Sequence, residues 1–435
     1  ANEFGYQSMT SPMTLRAFDL ALTNHGTMSL DQVMAPAIKY CFDGFAVRPR
    51  VHAFWMQPAQ CGRMERVAVV NQLPTARKIY LDADGNLLKV GDILKNPDMG
   101  RTYERIAREG AAVFYTGAIS DQIEADMLAN GGLITKKDLA ACTPTVNLPL
   151  VGSYRGIEVA TNQLPGGGAM IIQMLNILES FDLSLMGHNS AAYIATVAEA
   201  MKLATIEKDQ KLGDPNFVDV PLDHILSKAY AQSLAERIRA GKKSVVARFN
   251  DGLAESRDTT HLVVADTDGN IVNVTHSLGS SSGVITEGLG FMYNNCMMVF
   301  DPRPEKIGSL APGKARFTAM CPTILSKDGV AMLALGAPGG TTITMGVLQS
   351  ILNVVDFGMS AHDAVSAPRF CATSNQIELT NRIFRSVEAE LNDNGYETVR
   401  FAASYVTPIV HAIRITNGEL DGGADPAGDG MAAST

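Results

Sequence analysis

Thr259-Thr-His-Leu-Val-Val-Ala265, Asp266-Thr-Asp-Gly-Asn270 and Ile271-Val-Asn-Val-Thr-His-Ser277 form the stretch whose reading decides the fold. Two alternating apolar segments, Leu262–Ala265 and Ile271–Thr275, flank a polar turn that contains Asp268-Gly269. That pattern predicts a β-hairpin. A threonine pair, Thr259-Thr260, stands at its entrance. Taken alone, the pair needs no more than the β-propensity of threonine to explain it.

Downstream, Pro322–Leu325 and Val330–Leu335 form a second hairpin around Lys327-Asp-Gly329. It ends in Gly336-Ala-Pro-Gly-Gly340 and leads into a helix over Thr341–Gly358, with Ile343, Val347, Leu348, Ile351, Leu352 and Val355 on its inner face. Upstream, a strand at Gly156–Thr161 meets Leu164-Pro-Gly-Gly-Gly168 and an apolar helix, Ala169–Leu178. A Gly-rich strand-to-helix turn can hold an anion. This one fits neither G-x-G-x-x-G nor a P-loop, which leaves close backbone packing as its reading. Helices are expected twice within 8–48, the first with Leu15, Phe18 and Leu22 on one face and Gly26 as its stop. The second opens on a Ser29…Gln32 capping box and ends near Asp43-Gly44. Residues 75–90 read as a strand pair turning at Asp84-Gly85. Two helices are expected between Asn96 and Gly132, with Ile106 and Ala107 inward on one and Ile119, Ile123 and Met127 on the other. Two more are expected at Ser190–Lys211 and 225–243, the latter basic toward its end. Helices dominate before residue 259 and hairpins after it. The fold class is therefore α+β, an antiparallel sheet layered with helices.

The 435 residues are 46% hydrophobic and 19% charged, which supplies a sizeable core and argues against disorder. The net charge is −9, with Lys and Arg scattered, so nucleic-acid binding is disfavoured. Cys41, Cys61, Cys142, Cys296, Cys321 and Cys371 lie far apart with no zinc spacing; buried free thiols are expected and no metal. No cofactor is called for. No apolar run reaches the ~20 residues of a membrane span and no signal peptide is visible. The expectation is a soluble protein, cytoplasmic or periplasmic, with the compartment left open.

An ordered series of motifs then gives the hairpin a second meaning. Thr259-Thr-His, Asp266-x-Asp-Gly-Asn-x-Val, Asn294-Asn295, Met320-x-Pro-Thr323, Gly336-x-Pro-Gly-Gly340, Ala367-Pro-Arg-Phe370 and Gly422-x-x-Asp425-Pro426 resemble the γ-glutamyltransferase family of N-terminal-nucleophile (Ntn) hydrolases. In the first half, Asn130-Gly-Gly-Leu-Ile-Thr-x-x-Asp-Leu139, Tyr154-Arg-Gly156, Ile177-Leu-Glu179 and Gly213-Asp-Pro215 fit as well. The resemblance runs from about Leu15 almost to the C-terminus. It implies a four-layer αββα sandwich with central antiparallel sheets.

It also implies a mechanism. The precursor would cut itself between Asp258 and Thr259 into a mostly helical large subunit, 1–258, and a small subunit, 259–435, which together make one Ntn domain. Thr259 would be the nucleophile, and its freed α-amine, with a reference pKa of about 8, the general base. Gly339 and Gly340 match the oxyanion-hole glycines. Ser277 matches a threonine that contacts the nucleophile's amine. His261 and His276 are expected to be structural. The partners implied are a small-molecule amide and the chain's own two subunits, with a homodimer or heterotetramer left open and no nucleic acid or membrane.

The match departs from the family where a γ-glutamyl group would be read. An Asn, a Gln, an Asp and a Ser-Ser pair are replaced by Gly279, Cys296, Val299, Thr318 and Ala319. Val299 cannot pair with an ammonium, and an unpaired buried charge costs several kcal/mol, of order 3–5. An amidase with a different acyl group is expected, as in the cephalosporin-acylase-like members. The alternatives are a true γ-glutamyl transferase or glutathione hydrolase, and a non-processed, non-catalytic homologue. The strands and the carboxylate-gripping arginine that family members carry before the part matching Leu15 are not in this sequence. The sheet is expected to be short of those strands, and no arginine is assigned.

Overall fold

The computed structural model describes residues 2–57, 64–247, 259–406 and 408–434. The chain divides into two compact units, one of Ala1–Val146 with Ser277–Val299 and one of Asn147–His276 with Phe300–Thr435. Each takes chain from both sides of the 258/259 bond.

The first unit is helical. Thr14–His25, Leu30–Asp43, Pro97–Glu109 and Ala118–Ala129 are its longer helices. The Ser29/Gln32 capping box is formed. Ile106, Ile119, Ile123 and Met127 enter a core with Tyr115, Leu139, Val284 and Tyr293. Asp126 accepts hydrogen bonds from Tyr6 Oη (3.1 Å) and Thr286 Oγ1 (2.6 Å), which fastens the 277–299 segment. One expectation fails here. Residues 74–80 are a helix, Pro74–Tyr80, because Pro74 presets its first turn and Ala76 and Ile79 bury one face. Only the Leu81–Leu87 bridge around the turn survives of the strand pair. Thr14–His25 forms and stops at Gly26 as expected; Leu15, partly buried, packs against the core around Tyr115, while Phe18 is 46% exposed.

The second unit is built on a six-stranded antiparallel sheet. Its strands are Leu150–Tyr154 (β1), Ile157–Thr161 (β2), Thr323–Lys327 (β5), Val330–Gly336 (β6), His411–Thr416 (β7) and Glu419–Ala424 (β8). Their order is β8-β7-β6-β5-β2-β1. Between β2 and β5 in the chain come Thr259–Ala265 (β3) and Ile271–Ser277 (β4), which pair with each other as a separate ribbon. The expected hairpin is thus present and longer than its apolar core. The second hairpin turns through Asp328 (φ 53°) and Gly329 (φ 78°), as a two-residue primed turn requires. Strand β3 packs across β6 and β7, so two β layers face each other.

Helices Gly168–Leu178 (α1), Ala191–Lys211 (α2), Lys228–Arg239 (α3) and Ile343–Val355 (α4) cover the sheet. Every residue of α1 is buried, because it contacts α2, α3, α4 and β1 at once. The expected 225–243 helix is shorter at both ends. Ser227 caps α3 by accepting from Tyr230 N (3.2 Å), and Gly241 (φ 69°) ends the helical path, so Lys242 and Lys243 lie beyond it. Cys41, Cys142, Cys296, Cys321 and Cys371 are buried free thiols, as expected; Cys61 lies outside the described residues. Among the described residues no helix is long and apolar enough to cross a membrane.

Leu348 on α4 is fully buried and Leu185 is 83% exposed. Leu348→Ala should lower the unfolding free energy by about 2–5 kcal/mol. Leu185→Ala should change it by less than about 0.5 kcal/mol in the same denaturant titration.

Candidate active site

Thr259 opens β3, half-buried, and the strand alternates from there: Thr260 outward, His261 inward. The His261 ring lies over Gly336, the last residue of β6. A methyl group at 336 would sit 2.4 Å from the ring. Gly336 pairs in register with His411, whose ring stacks on His261 at 6.5 Å between centroids and 6° between planes. His261 Nδ1 meets Thr275 Oγ1 of β4 at 2.8 Å. From β4, Asn273 donates its amide to Thr323 O (2.9 Å) and Leu335 O (3.2 Å). The ribbon is therefore pinned where β6 ends, and Thr259 lies two residues, roughly 7 Å, along the strand from the pin.

Gly339 and Gly340 follow three and four residues after Gly336. Gly339 has φ 151° and Gly340 φ 61°, conformations that favour glycine. A Cβ on Gly339 would meet Pro408 at 2.7 Å. Thr342 donates both its N–H (3.3 Å) and its hydroxyl (2.8 Å) to Gly339 O. The carbonyl is thus tied into the turn before α4. Among the described residues neither the Gly339 nor the Gly340 N–H is given to a protein acceptor.

Pro408 is braced in turn. Arg369 donates to Pro408 O (2.8 Å) and Val365 O (2.6 Å) and pairs with Asp425, which accepts from Val410 N (3.1 Å) and Ala427 N (2.8 Å). Ile409 N donates to Pro338 O at 3.0 Å. This buried pair holds the wall behind Gly339. Sequence reasoning quoted both motifs, 367–370 and 422–426, without a role for either. The signal was an arginine and an aspartate, each set among apolar or small residues.

Thr318 and Ala319 lie on the segment seated against the Gly-rich turn. Thr318 N donates to Pro165 O (2.9 Å) and Gly167 N to Met320 O (3.0 Å). A Cβ on Gly167 would lie 2.6 Å from Ala319 O. Close backbone packing is what these glycines serve.

The other candidate residues belong to the first unit. Ser277 Oγ accepts from Gly279 N at 3.0 Å. Gly279 (φ 81°) faces Cys296; a Cβ there would meet Asn295 Oδ1 at 2.7 Å and Cys296 Sγ at 3.2 Å. Asn295 Oδ1 accepts from Ser280 N (2.6 Å) and Asn294 Oδ1 from Cys296 N (3.0 Å). Cys296 and Val299 bound one short 3₁₀ turn. The structure thus brings Ser277, Gly279 and Cys296 together, and places Thr259, Thr318, Ala319, Gly339 and Gly340 in the second unit. Asp258 lies outside the described residues. Among the described residues no cluster of His, Cys, Asp and Glu could hold a metal ion.

The gamma-glutamyltranspeptidase family model matches residues 1–435. The glutathione hydrolase proenzyme of Escherichia coli (strain K12) is 38% identical over 83% of this chain and 63% of its own length. The acylase ACY 1 proenzyme of Pseudomonas sp. (strain V22) is 36% identical over 92% of this chain and 70% of its own. The crystal structure of cephalosporin acylase from Bacillus halodurans superposes with a TM-score of 0.87 at 26% identity, covering 99% of this chain and 79% of that one. The layered architecture is that of an Ntn hydrolase. The chain belongs to the gamma-glutamyltranspeptidase family. It spans 63% of the length of the Escherichia coli relative.

Burial, reinforced by His411, pushes the His261 pKa from 6.5 down to about 3; burial also lowers His276 and His411. The unfolded chain therefore takes up a proton at His261 at higher pH than the folded chain does. Stability from this site is full above about pH 6.5 and falls with acidification toward pH 3, by at most about 1.4 kcal/mol per pH unit. His261→Gln should flatten that acid limb when melting temperatures are compared between pH 7 and pH 4. Parallel limbs in the two proteins would show that His261 does not titrate on unfolding.

Proposed function

We propose that this chain is the core of an Ntn-type amidohydrolase or acyltransferase that matures by cleavage between Asp258 and Thr259. The observation that carries the reading is the placement of Thr259. It opens a strand pinned through His261 and Gly336 to the end of β6, and β6 leads directly into two glycines whose N–H groups no described residue accepts from. Thr259 is the nucleophile in this reading. A threonine hydroxyl is weak at neutral pH, and an α-amine on the same residue supplies the base without a histidine. That agrees with His261, which is held neutral inside the wall rather than poised to exchange protons.

The hydroxyl attacks an amide carbonyl, and the oxyanion is stabilised by the N–H groups of Gly339 and Gly340. One such donor contributes about 3 kcal/mol. The amine leaves and an acyl-Thr259 ester remains, which water or an amine resolves. Ser277 stands at the sequence position of the family threonine that contacts the freed α-amine. Residues 1–258 and 259–435 become the large and small subunits; the curated relatives are named as proenzymes.

The acyl group is proposed to be other than γ-glutamyl. By sequence position, Gly279, Cys296 and Val299 of the first unit and Thr318 and Ala319 of the second replace glutamate-reading residues of the family. Cys296 and Val299 offer a thiol and an aliphatic surface, and neither pairs with an α-ammonium. The similarity to acylases at 36% identity in sequence and 0.87 in TM-score supports this specificity. The glutathione hydrolase relative at 38% identity favours the second reading, a γ-glutamyl substrate.

Intact mass of purified protein, with and without Thr259→Ala, tests maturation: the parent should yield two chains and the variant one. Robust turnover of γ-glutamyl-p-nitroanilide by the cleaved protein would overturn the altered specificity. Gly340→Pro removes the donor and opposes φ 61°. It should reduce turnover by about a hundredfold or more, whereas Gly340→Ala keeps the N–H and carries only left-handed backbone strain of about 1–2 kcal/mol, so it should lose clearly less. Equal losses in both would remove Gly340 from the site.

A further inference from the structure

Thr161 at the end of β2, Thr323 at the start of β5, Gly336 at the end of β6 and His411 at the start of β7 stand at one end of the six-stranded sheet, and the ribbon that begins with Thr259 is pinned there. In the chain approaching β7, Ala402, Ala403, Ser404 and Tyr405 are exposed, and Tyr405 alone of the four carries a large side chain. Two neighbours hold them. Asn381 donates its N–H to Ala403 O (3.4 Å) and its side-chain amide to Ala402 O (2.7 Å). Arg382 donates through Nε to Ser404 O (3.2 Å) and through Nη2 to Ser366 O, and its guanidinium carbon lies 4.1 Å from the centre of the Tyr405 ring. The ring is backed by a guanidinium that is itself fixed at two carbonyls, and Tyr405 is still 37% exposed. An aromatic ring held ready in this way is a stacking surface that costs little entropy to use.

That ring stands near the candidate oxyanion turn. Tyr405 is three residues from Pro408, so their Cα atoms are at most about 11 Å apart. Pro408 abuts Gly339 and also fills the place that a Cβ on Gly346 would take. On the other flank, a Cβ on Gly167 would meet Ala319 O at 2.6 Å and Thr344 Cγ2 at 2.9 Å. Positions 344 and 346 point about 200° apart around α4. Ala319 and Pro408 therefore flank the first turn of α4 from opposite sides. Thr318 and Ala319 stand, by sequence position, where the family reads the acyl group. An amide whose carbonyl oxygen lies at Gly339 and Gly340, with its acyl half toward Ala319, presents its amine half toward the side of Pro408 and Tyr405.

We infer that Tyr405 is a specificity-determining residue for the amine half of the substrate: its ring stacks on an aromatic leaving group, and Arg382 is the positioning residue that holds the ring. The inference rests on the proposed roles of Thr259, Gly339 and Gly340. The ring acts on the first half-reaction, while the amine is still attached. It has no part in hydrolysis of the acyl-Thr259 ester, from which the amine has gone.

Tyr405 lies at the surface, so its variants should fold. The cleaved protein is assayed with pairs of amides that share an acyl group and differ in the amine: the p-nitroanilide and the methylamide of glutaric acid, and the same two γ-amides of glutamate. Within whichever pair is turned over, Tyr405→Ala should lower kcat/KM for the p-nitroanilide about three- to tenfold and change the methylamide by less than about twofold. Tyr405→Phe keeps the ring and should match the parent, and Arg382→Ala should shift the ratio in the same direction as Tyr405→Ala. Equal losses on both amides overturn the specificity role and leave Tyr405 a structural residue. Independently of turnover, saturation-transfer NMR with acetanilide should show ring contact in the parent and in Tyr405→Phe, and a weaker one in Tyr405→Ala. Equal transfer in all three, or none in the parent, overturns the stacking surface. A parent that transfers saturation through Tyr405 yet stays one chain supports the surface and overturns the reading of Thr259.

Discussion

The close approach of the ribbon to the sheet at His261 and Gly336 is the contact on which the rest of the second unit depends. A side chain at 336 would collide with the imidazole, so glycine there lets β3 lie against the end of β6. Thr275 Oγ1 and the Asn273 amide complete the pin with hydrogen bonds to the ring and to two strand carbonyls. Its consequences run both ways along the chain. Backward, the pin sets where Thr259 begins. Forward, it fixes the end of the strand that turns into Gly339 and Gly340.

A second layer of support lies behind that turn. The Arg369–Asp425 pair is buried, and removing one partner from such a pair typically costs 3–5 kcal/mol, about as much as a large core truncation. Its bonds go to the 408–410 backbone, and Pro408 fills the space that a side chain at 339 would need. The polar groups therefore act through backbone position rather than on a substrate. The Gly-rich turn at 166–168 plays a similar part for Thr318 and Ala319, by letting two backbones meet without intervening Cβ atoms.

Much of this was legible in the chain. The two hairpins, the Ser29 capping box, the apolar helix at 168–178 and the inward face of Ile343–Val355 follow from periods of 2 and 3.6 and from turn residues. Two readings failed for local physical reasons. At 74–80, Pro74 and two buried positions a turn apart outweighed β-propensity. At 225–243 the Ser227 cap and Gly241 cut the helix short and released Lys243 to Asn394 and Tyr396.

The sequence by itself determined the family, the α+β class and the candidate identities of Thr259, Gly339, Gly340 and Ser277, because these rest on ordered motifs and short-range patterns. Only the tertiary structure decided that Gly336 is a seat for His261, that Arg369 reaches Asp425 across 56 positions, and that Ser244 N donates to Glu199 and Val246 N to Asn375. The physical reason is range. Propensity and periodicity act over a few residues, whereas a buried polar group is defined by whichever distant backbone amide or carbonyl satisfies it, and that partner exists only once the layers have packed.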